Sequence, residues 1–393
     1  MANPFNQLFQ RLFGSGKKDQ ASNLPPHAQQ ATSQEEKSSS KTSAAIAHSN
    51  DNPTIANDSQ HNVDMAKSKA IIPAEKFYVW KPAVPIDSLF FDWTMGYPGE
   101  GSVADMEQKV LQGLYGLLAS DLNEAIVVPR MPSVIPQLLA SLRNKSVAVH
   151  ELTRLIIKDV VLVGEVVNAV NSALYNPVDR ISSVDKAVQV LGEEGLRFVI
   201  AKVAFRPIIN LSAGPYTRRA APTIWQQSEK CALACHALSR HHDNRDEDRH
   251  YDAFQAFLTG LMKNVGLIIA FRVLDQECDQ TKFKYSAGFQ HAMASVAATL
   301  SYRIAQRWDF PPLVVEALQQ QAGGRKAVEW TALGQLLHDA DLISKMRVLV
   351  NQAQLSRNDQ QLKAGLSPAM ADCFDNLNTL QAYELSGITA NQS

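Results

Sequence analysis

The sequence is poor in the features that assign a chain quickly to a functional class. Its 393 residues carry a formal net charge of -1, so no global field attracts nucleic acid or an acidic membrane. Cysteines are too few and too unevenly spaced for a disulfide framework or a paired zinc site. The four are Cys231, Cys235, Cys278 and Cys373. These shortages predict a cytoplasmic protein that binds no nucleic acid.

Long hydrophobic runs and cofactor motifs are also missing. The apolar stretch "VVLVGEVVNAV" is interrupted by Glu165 and Asn168, well short of the roughly 20 apolar residues of a membrane span. The start of the chain has no signal-peptide pattern. Gly192 to Gly195 lacks the lysine and the preceding strand of a phosphate-binding loop. We therefore expect no transmembrane segment and no cofactor.

Helical periodicity is the strongest feature that is present. Hydrophobic residues make up 45% of the chain, and segments such as "MEQKVLQGLYGLLASDL" and "HAMASVAATLSYRIAQRW" repeat them at helical spacing. Strand-like alternation and fixed-period repeats are not evident. The sequence therefore predicts an all-α protein built around a compact multi-helix domain.

The first 70 residues differ from the rest in composition. An apolar face at helical spacing predicts a short amphipathic docking helix over residues 1–13. Its members are Phe5, Leu8, Phe9, Leu12 and Phe13. Residues 14–70 are rich in Ser, Gln, Asn and Lys and cannot bury enough apolar surface to fold, which predicts a disordered linker. The pattern indicates a docking helix on a flexible tether.

Residues 71–127 are predicted to form an N-terminal arm followed by a helix. The arm concentrates aromatic residues among prolines and glycines between Lys76 and Gly101. It is expected to lie extended on the surface of the domain, with a partner-binding groove or a lid as the alternative. The main domain is expected over 128–322, and a helical tail over 323–393.

Several motifs in the main domain occur together in a known family. Prolines punctuate the first helix between Pro129 and Pro136, Asp159 falls late in a helix, and "FLTGLMKNVG" and "DADLI" follow further on. An Asn-Ser-Ala box with a later aromatic comprises Asn171, Ser172, Ala173 and Tyr175. In these motifs the chain resembles the HDOD domain, the HD-related output domain of bacterial signalling proteins.

The resemblance implies a vestigial metal site in the second half of the domain. Metal-dependent phosphohydrolases of the wider HD superfamily use histidines and aspartates that lie on several helices. On their pattern the first histidine corresponds to Gln227, the His-Asp pair to Lys263 and Asn264, and the late histidines to Gln320 and Gln321. The remaining ligand positions are His291 and Asp341.

These replacements predict that the chemistry has been lost. A protonated lysine has no lone pair, and neutral amide oxygens are poor ligands for a catalytic ion. Two surviving ligands are too few to activate water. We therefore expect no metal, no catalytic residue and no enzyme activity. The Lys263 ammonium is expected near Asp341, where it would supply part of the missing positive charge, although helical phase also allows it to face water.

Other clusters of chemical side chains have plain structural interpretations. The dipeptide His338-Asp339 is interpreted as coincidental, and Cys231 and Cys235, beside His236, as core packing. Asn171 and Ser172 end a helix before Pro177, so the Asn171, Ser172 and Tyr175 box serves either helix capping or partner recognition. Both interpretations of the box remain open at this stage.

The sequence favours a non-catalytic signalling adaptor of the HDOD type that acts by binding another protein. Two alternatives remain: a degenerate HD-type phosphohydrolase, and a binder of a small ligand such as a nucleotide in the vestigial cleft. The expected partner is a signalling protein in the cytoplasm. A weak peripheral contact of residues 1–13 with a membrane surface is the less favoured attachment.

Overall fold

The computed structural model describes most of the chain after residue 83. The ranges are 84–96, 104–122, 125–143, 145–158, 160–171, 180–210, 214–242, 251–278, 284–323, 330–357 and 360–379. Within these ranges the secondary structure consists of helices joined by turns, with no strand. The all-α prediction is confirmed.

Fourteen helices lie in the described residues. They are α1 (Ile86–Met95), α2 (Ala104–Ala119), α3 (Ile135–Arg143), α4 (Lys145–Lys158), α5 (Val160–Val170), α6 (Val184–Asn210), α7 (Pro215–His242), α8 (Ala253–Met262), α9 (Val265–Glu277), α10 (Ala287–Arg307), α11 (Pro312–Ala322), α12 (Ala332–Asn351), α13 (Gln360–Lys363) and α14 (Pro368–Asn376).

Helix α7 is the centre of the second half of the domain. It packs against α6, α8, α9, α12, α14 and α1, and its inward residues, which include Ile224, Cys231 and Cys235, are fully buried. Helices α10 and α11 close the bundle by packing on α9 and α12. Side chains at one level of α7 can therefore meet residues of α8, α9 and α12.

The first half of the domain is a group formed by α3 to α6. Residues 145–158 and 160–170 are helical and form α4 and α5, and both pack on α6. Helix α6 is kinked at Gly192, whose φ is 65°, a backbone conformation that glycine adopts without a steric penalty. The kink lies at the start of the Gly192 to Gly195 stretch, which lacks the features of a phosphate-binding loop.

The aromatic arm differs from its predicted extended form. Residues 86–95 are helical, and Gly96 ends the helix with φ 83°, as is common at a helix C-terminus. The buried face of this helix, α1, comprises Ile86, Phe90, Phe91 and Met95. Their spacing brings them to one side of a helix. The prediction of an extended arm, which was based on the surrounding prolines and glycines, did not take this spacing into account. The arm does pack on the domain, as predicted.

Two sets of sequence-based expectations fall outside the described residues. One is the docking helix over 1–13 with the linker over 14–70, and the other comprises Asp159, Ser172 and Tyr175. In the described part of the chain, one stretch, Ala253–Glu277, is long and apolar enough to cross a membrane by length and composition. Because 89% of its most apolar window is buried inside the fold, it forms core helices α8 and α9.

Candidate functional site

The sequence Gly260 to Gly266 sets the position of the candidate site. A Cβ atom on Gly260 would lie 2.5 Å from the Ala232 backbone in α7, and one on Gly266 would lie 1.9 Å from the Ala297 carbonyl oxygen in α10. Both distances are too short for any side chain, so glycine permits α8 and α9 to approach their neighbours closely. The Lys263-Asn264 pair between them is thereby held against α7.

An amide network occupies the centre of the site. Asn264 Nδ2 donates to Gln227 Oε1 and to Ser228 Oγ, the latter over 3.1 Å. Gln227 Nε2 in turn donates to Asp341 Oδ1 and to Ser344 Oγ, each over 2.8 Å. The five side chains come from α7, the α8–α9 junction and α12, so the network ties the three elements together.

Beside the amides lies a row of alternating charges, which we call the ion chain: Lys263, Asp341, Lys345 and Asp87. Asp341 Oδ2 is 3.3 Å from Lys263 Nζ and 2.7 Å from Lys345 Nζ. Lys345 Nζ is also 2.8 Å from Asp87 Oδ1 in the first turn of α1. The formal charges of these four residues cancel. The predicted proximity of Lys263 to Asp341 is confirmed.

Burial and charge act in opposite directions on the ion chain. Burial by itself would raise the pKa of Asp341, but the nearby Lys263 and Lys345 ammonium groups outweigh it and hold that pKa well below its usual range. Burial would likewise lower the pKa of Lys345, but Asp341 and Asp87 raise it. Lys345 also lowers the pKa of Asp87. Each charged form is therefore stabilised by its neighbours rather than by water.

The two expected surviving ligand positions differ in their exposure to solvent. Asp341 is buried in the site, whereas His291 on α10 is exposed. Among the described residues, no group of three or more His, Cys, Asp or Glu side chains could hold a metal ion. The arrangement can hold charge and tie helices together, but it offers few free lone pairs to a metal.

The late glutamine pair serves a structural purpose. Gln320 Oε1 accepts from the Thr331 backbone N–H and hydroxyl, each over 3.1 Å, at the start of α12. Gln321 Nε2 donates to the Gly334 carbonyl over 2.9 Å. Both amides therefore join the end of α11 to the first turn of α12, the helix that carries Asp341. The motif resemblance located these two positions in the sequence, but it did not predict that their amides join α11 to α12.

Asn171 in the first half of the domain is paired with a residue ten positions further along the chain. Its Nδ2 donates to the Ile181 carbonyl over 2.6 Å and to the Val167 carbonyl over 2.9 Å, while its Oδ1 accepts from the Ile181 N–H over 2.8 Å. The side chain thus pairs with both backbone groups of Ile181, as a neighbouring strand would. The described contacts of Asn171 support the capping interpretation of the box.

The remaining sequence clusters lie in packed surroundings. The four cysteines are buried and form no disulfide, which confirms core packing for Cys231 and Cys235. Neither ring nitrogen of the fully buried His236 has a hydrogen-bond partner, and burial lowers its pKa to about 3. The His338 ring contacts Trp330 edge-on at 5.2 Å, and burial raises the pKa of Asp339 to about 7.

The fold and the site together define a helical domain in which amide and ammonium groups occupy most of the positions that correspond by motif to HD metal ligands. Comparison with family models then matches residues 128–323 to the HDOD domain, so the chain is an HDOD domain protein. The match covers α3 to α11 and leaves α1, α2 and α12 to α14 outside it. A comparison with curated proteins finds no match.

Solved structures include several similar proteins at low sequence identity. An HDOD domain protein of unknown function from Geobacter sulfurreducens is 16% identical, with 71% of this chain and 93% of that chain covered and a TM-score of 0.47. A candidate metal-dependent phosphohydrolase from Shewanella amazonensis is 17% identical, with 70% and 99% covered and a TM-score of 0.46.

A third structure comes from a candidate signal transduction protein of Marinobacter aquaeolei. It is 16% identical, with 72% of this chain and 68% of that chain covered and a TM-score of 0.46. Because each of these TM-scores is below 0.5, the family assignment rests on the family model and on the motifs of this sequence.

Proposed function

We propose that the protein is a non-catalytic adaptor in bacterial signal transduction, which acts in the cytoplasm by binding a signalling protein. The observation that carries this proposal is the contact of two ammonium groups with Asp341 at the vestigial site, at 3.3 Å and 2.7 Å. An ion that bound there would have to displace or deprotonate both lysines. The amide network reinforces this arrangement, because Gln227 directs an N–H group at the carboxylate.

A direct test compares the full chain with a variant that carries the ligands of the HD pattern. The purified wild-type protein is analysed for Zn, Fe, Mn and Mg by mass spectrometry, and for hydrolysis of nucleotides and bis(p-nitrophenyl) phosphate with added metal. The comparison variant carries Gln227→His, Lys263→His and Asn264→Asp. We expect no stoichiometric metal and no metal-dependent hydrolysis by the wild type.

The alternative functions give distinct results in the same experiment. About one tightly held ion per wild-type chain, lost on His291→Ala or Asp341→Ala, would contradict the proposal and favour a phosphohydrolase. A nucleotide that raises the melting temperature of the wild type in proportion to its occupancy would instead favour a small-ligand binder.

The adaptor role is tested separately by cross-linking in cells and identification of the captured protein. Deletion of residues 1–13, which carry the predicted docking face, is expected to abolish capture and to leave the melting temperature of the domain unchanged. If the truncated chain captures the same partner with equal yield, recognition belongs to the helical domain instead.

A further inference from the structure

Helix α1 lies in a groove whose walls are α7, α12 and the start of α10. Four large side chains of α1, namely Ile86, Phe90, Phe91 and Met95, are buried there. A helix of 10 residues is shorter than the roughly 12–15 residues needed for marginal stability in water. The helical form of α1 therefore depends on the groove, as it does for peptides that fold in a hydrophobic groove.

One set of groove contacts recognises the main chain of α1. Gln290 Nε2 on α10 donates to the Ser88 carbonyl over 3.1 Å. Arg219 Nη1 on α7 donates to the Met95 carbonyl over 2.5 Å, near the C-terminal end of α1 where helix carbonyls lack partners. Because both acceptors are backbone oxygens, any helix of similar length in this position could receive these hydrogen bonds.

A second set recognises two carboxylates of α1. Lys345 Nζ lies 2.8 Å from Asp87 Oδ1, and the Tyr285 hydroxyl donates to Asp92 Oδ1 over 2.8 Å. The Tyr285 ring also packs edge-on against Phe91, with centroids 5.6 Å apart. The groove thus selects a helix with acids five positions apart and an aromatic residue between them.

The two members of the Lys345–Asp87 pair differ in their exposure to solvent. The side chain of Lys345 is 12% exposed and that of Asp87 is 75% exposed. Asp341 anchors the lysine from the other side over 2.7 Å, so Asp87 is the accessible and replaceable partner. Without Asp87, the charges of Lys263, Lys345 and Asp341 sum to +1, which retains an attraction for a carboxylate.

We infer that this groove is a docking site for an acidic amphipathic helix, which α1 fills within the same chain. The partner helix carries one carboxylate in its first turn, a second five residues later, and an aromatic and aliphatic face like that of α1. An empty groove would expose large apolar surfaces, so one helix replaces another rather than leaving it open. This inference rests on the proposed adaptor function and adds a second binding surface, on the helical domain, to the predicted docking face of residues 1–13.

The probe for this inference is a fluorescein-labelled peptide with the sequence of residues 84–96. It is titrated into the full-length wild-type chain and into a full-length Asp87→Asn, Asp92→Asn variant, in which α1 lacks both carboxylates but keeps its apolar face. We expect the peptide to bind the variant at least about tenfold more tightly, because it brings charged hydrogen bonds that the internal helix has lost.

Two matched controls separate recognition from general attraction. In the first peptide the residues at positions 87 and 88 are exchanged, D87S with S88D, so charge and composition are unchanged but the carboxylate points elsewhere. We expect its affinity to fall about fivefold or more. In the second control, Tyr285→Phe in the variant chain should lower the affinity for the native peptide by a similar factor. It should leave the affinity for an Asp92→Asn peptide unchanged.

Hydrogen exchange of the wild-type chain gives an independent measurement. Saturating peptide should accelerate exchange of the α1 amides as α1 leaves the groove, and should leave the core of α7 protected. The inference is overturned if the folded variant binds neither peptide or binds the native and rearranged peptides equally. It is also overturned if α1 exchange is insensitive to peptide, or if the variant dimerises by exchanging α1 between two copies.

The adaptor proposal and the groove inference can fail separately. Metal content and hydrolysis are measured on the same preparations. Metal-dependent hydrolysis by the wild-type chain therefore counts against the adaptor proposal whether or not the peptide binds. Absence of peptide binding from a chain that is inactive and metal-free counts against the groove alone.

Discussion

Gln227 and Asp341 are hydrogen-bonded between α7 and α12, with 2.8 Å separating Gln227 Nε2 from Asp341 Oδ1. In a metal site of the HD pattern, both positions would direct lone pairs at an ion. Here one position donates and the other accepts, so the two side chains satisfy each other directly. The amide and the carboxylate therefore belong to the framework that joins the two helices, and each has a measurable effect on stability.

Removal of the Lys345 ammonium should destabilise the fold. Lys345→Met is expected to lower the free energy of unfolding by about 3 kcal/mol, because Asp341 then keeps only part of the positive charge that offsets its burial. Chemical denaturation at neutral pH measures the change. Lys363→Met is the matched control, since Lys363 pairs with Asp375 at a site where the two side chains are 35% and 37% exposed, and such pairs contribute about 1 kcal/mol or less.

A double variant tests whether this loss is electrostatic. Asp341→Asn in the Lys345→Met background removes the carboxylate that lost its partner, so the double variant should be less destabilised than the sum of the two single variants. Additive losses would show that Lys345 acts through packing of its aliphatic stem instead.

Gln227→Glu should place two carboxylates against each other with almost no change of shape. The folded state then favours the protonated form of the introduced carboxyl group, so the pKa of this group rises on folding and the variant loses stability as pH increases above about 4.3. We expect a loss of about 2–4 kcal/mol at pH 8 and a smaller one at pH 5. Denaturation at both pH values measures it, with Gln226→Glu at the neighbouring exposed position as the control.

The unpaired His236 imidazole should make the protein sensitive to acid. Its folded pKa of about 3 lies below the ordinary value of about 6.5, so the unfolded chain binds a proton first as pH falls. The free energy of unfolding should drop by about 1.4 kcal/mol per pH unit below about pH 6.5. His236→Leu should reduce this slope and raise stability at pH 5. An unchanged slope, relative to a control His291→Leu at an exposed position, would contradict the assignment.

Asp339 should have the opposite pH dependence. Burial raises its folded pKa to about 7, so the folded state holds a proton that the unfolded state has released, and stability falls as pH rises from about 4 to about 7. Asp339→Asn should raise the melting temperature by about 2–4 °C at pH 8 and by less at pH 5. Thermal unfolding checks this, with Asp372→Asn on the exposed side of α14 for comparison; equal gains at both pH values would argue against burial of a charge.

The sequence predicted the parts of the site that lie within shared motifs. Lys263, Gln227 and Asp341 could be located by motif, and charge alone suggested that Lys263 and Asp341 attract each other. Lys345 was missed, although its i,i+4 spacing from Asp341 places both on one helix face. Asp87 could not be found in this way, because its place in the site depends on how α1 packs against α12.

Separation along the chain is why pattern reasoning fails for Asp87. Lys345 follows it by 258 positions, and no local periodicity relates residues so far apart. The motif likewise gives the position of His291 in sequence but not the direction of its side chain. The exposed imidazole on α10 depends on the rotation of that helix about its own axis.

The ion chain also changes what the domain requires from its surroundings. A metal ion is a cation that can dissociate, be exchanged for another metal or be removed by a chelator, and a fold that depends on one varies in stability with metal supply. The ammonium groups of Lys263 and Lys345 are covalently attached, so they accompany Asp341 at a fixed stoichiometry in every molecule. At this site, the charge that balances Asp341 is therefore synthesised with the chain, and neither a chelator nor the metal status of the cell can withdraw it.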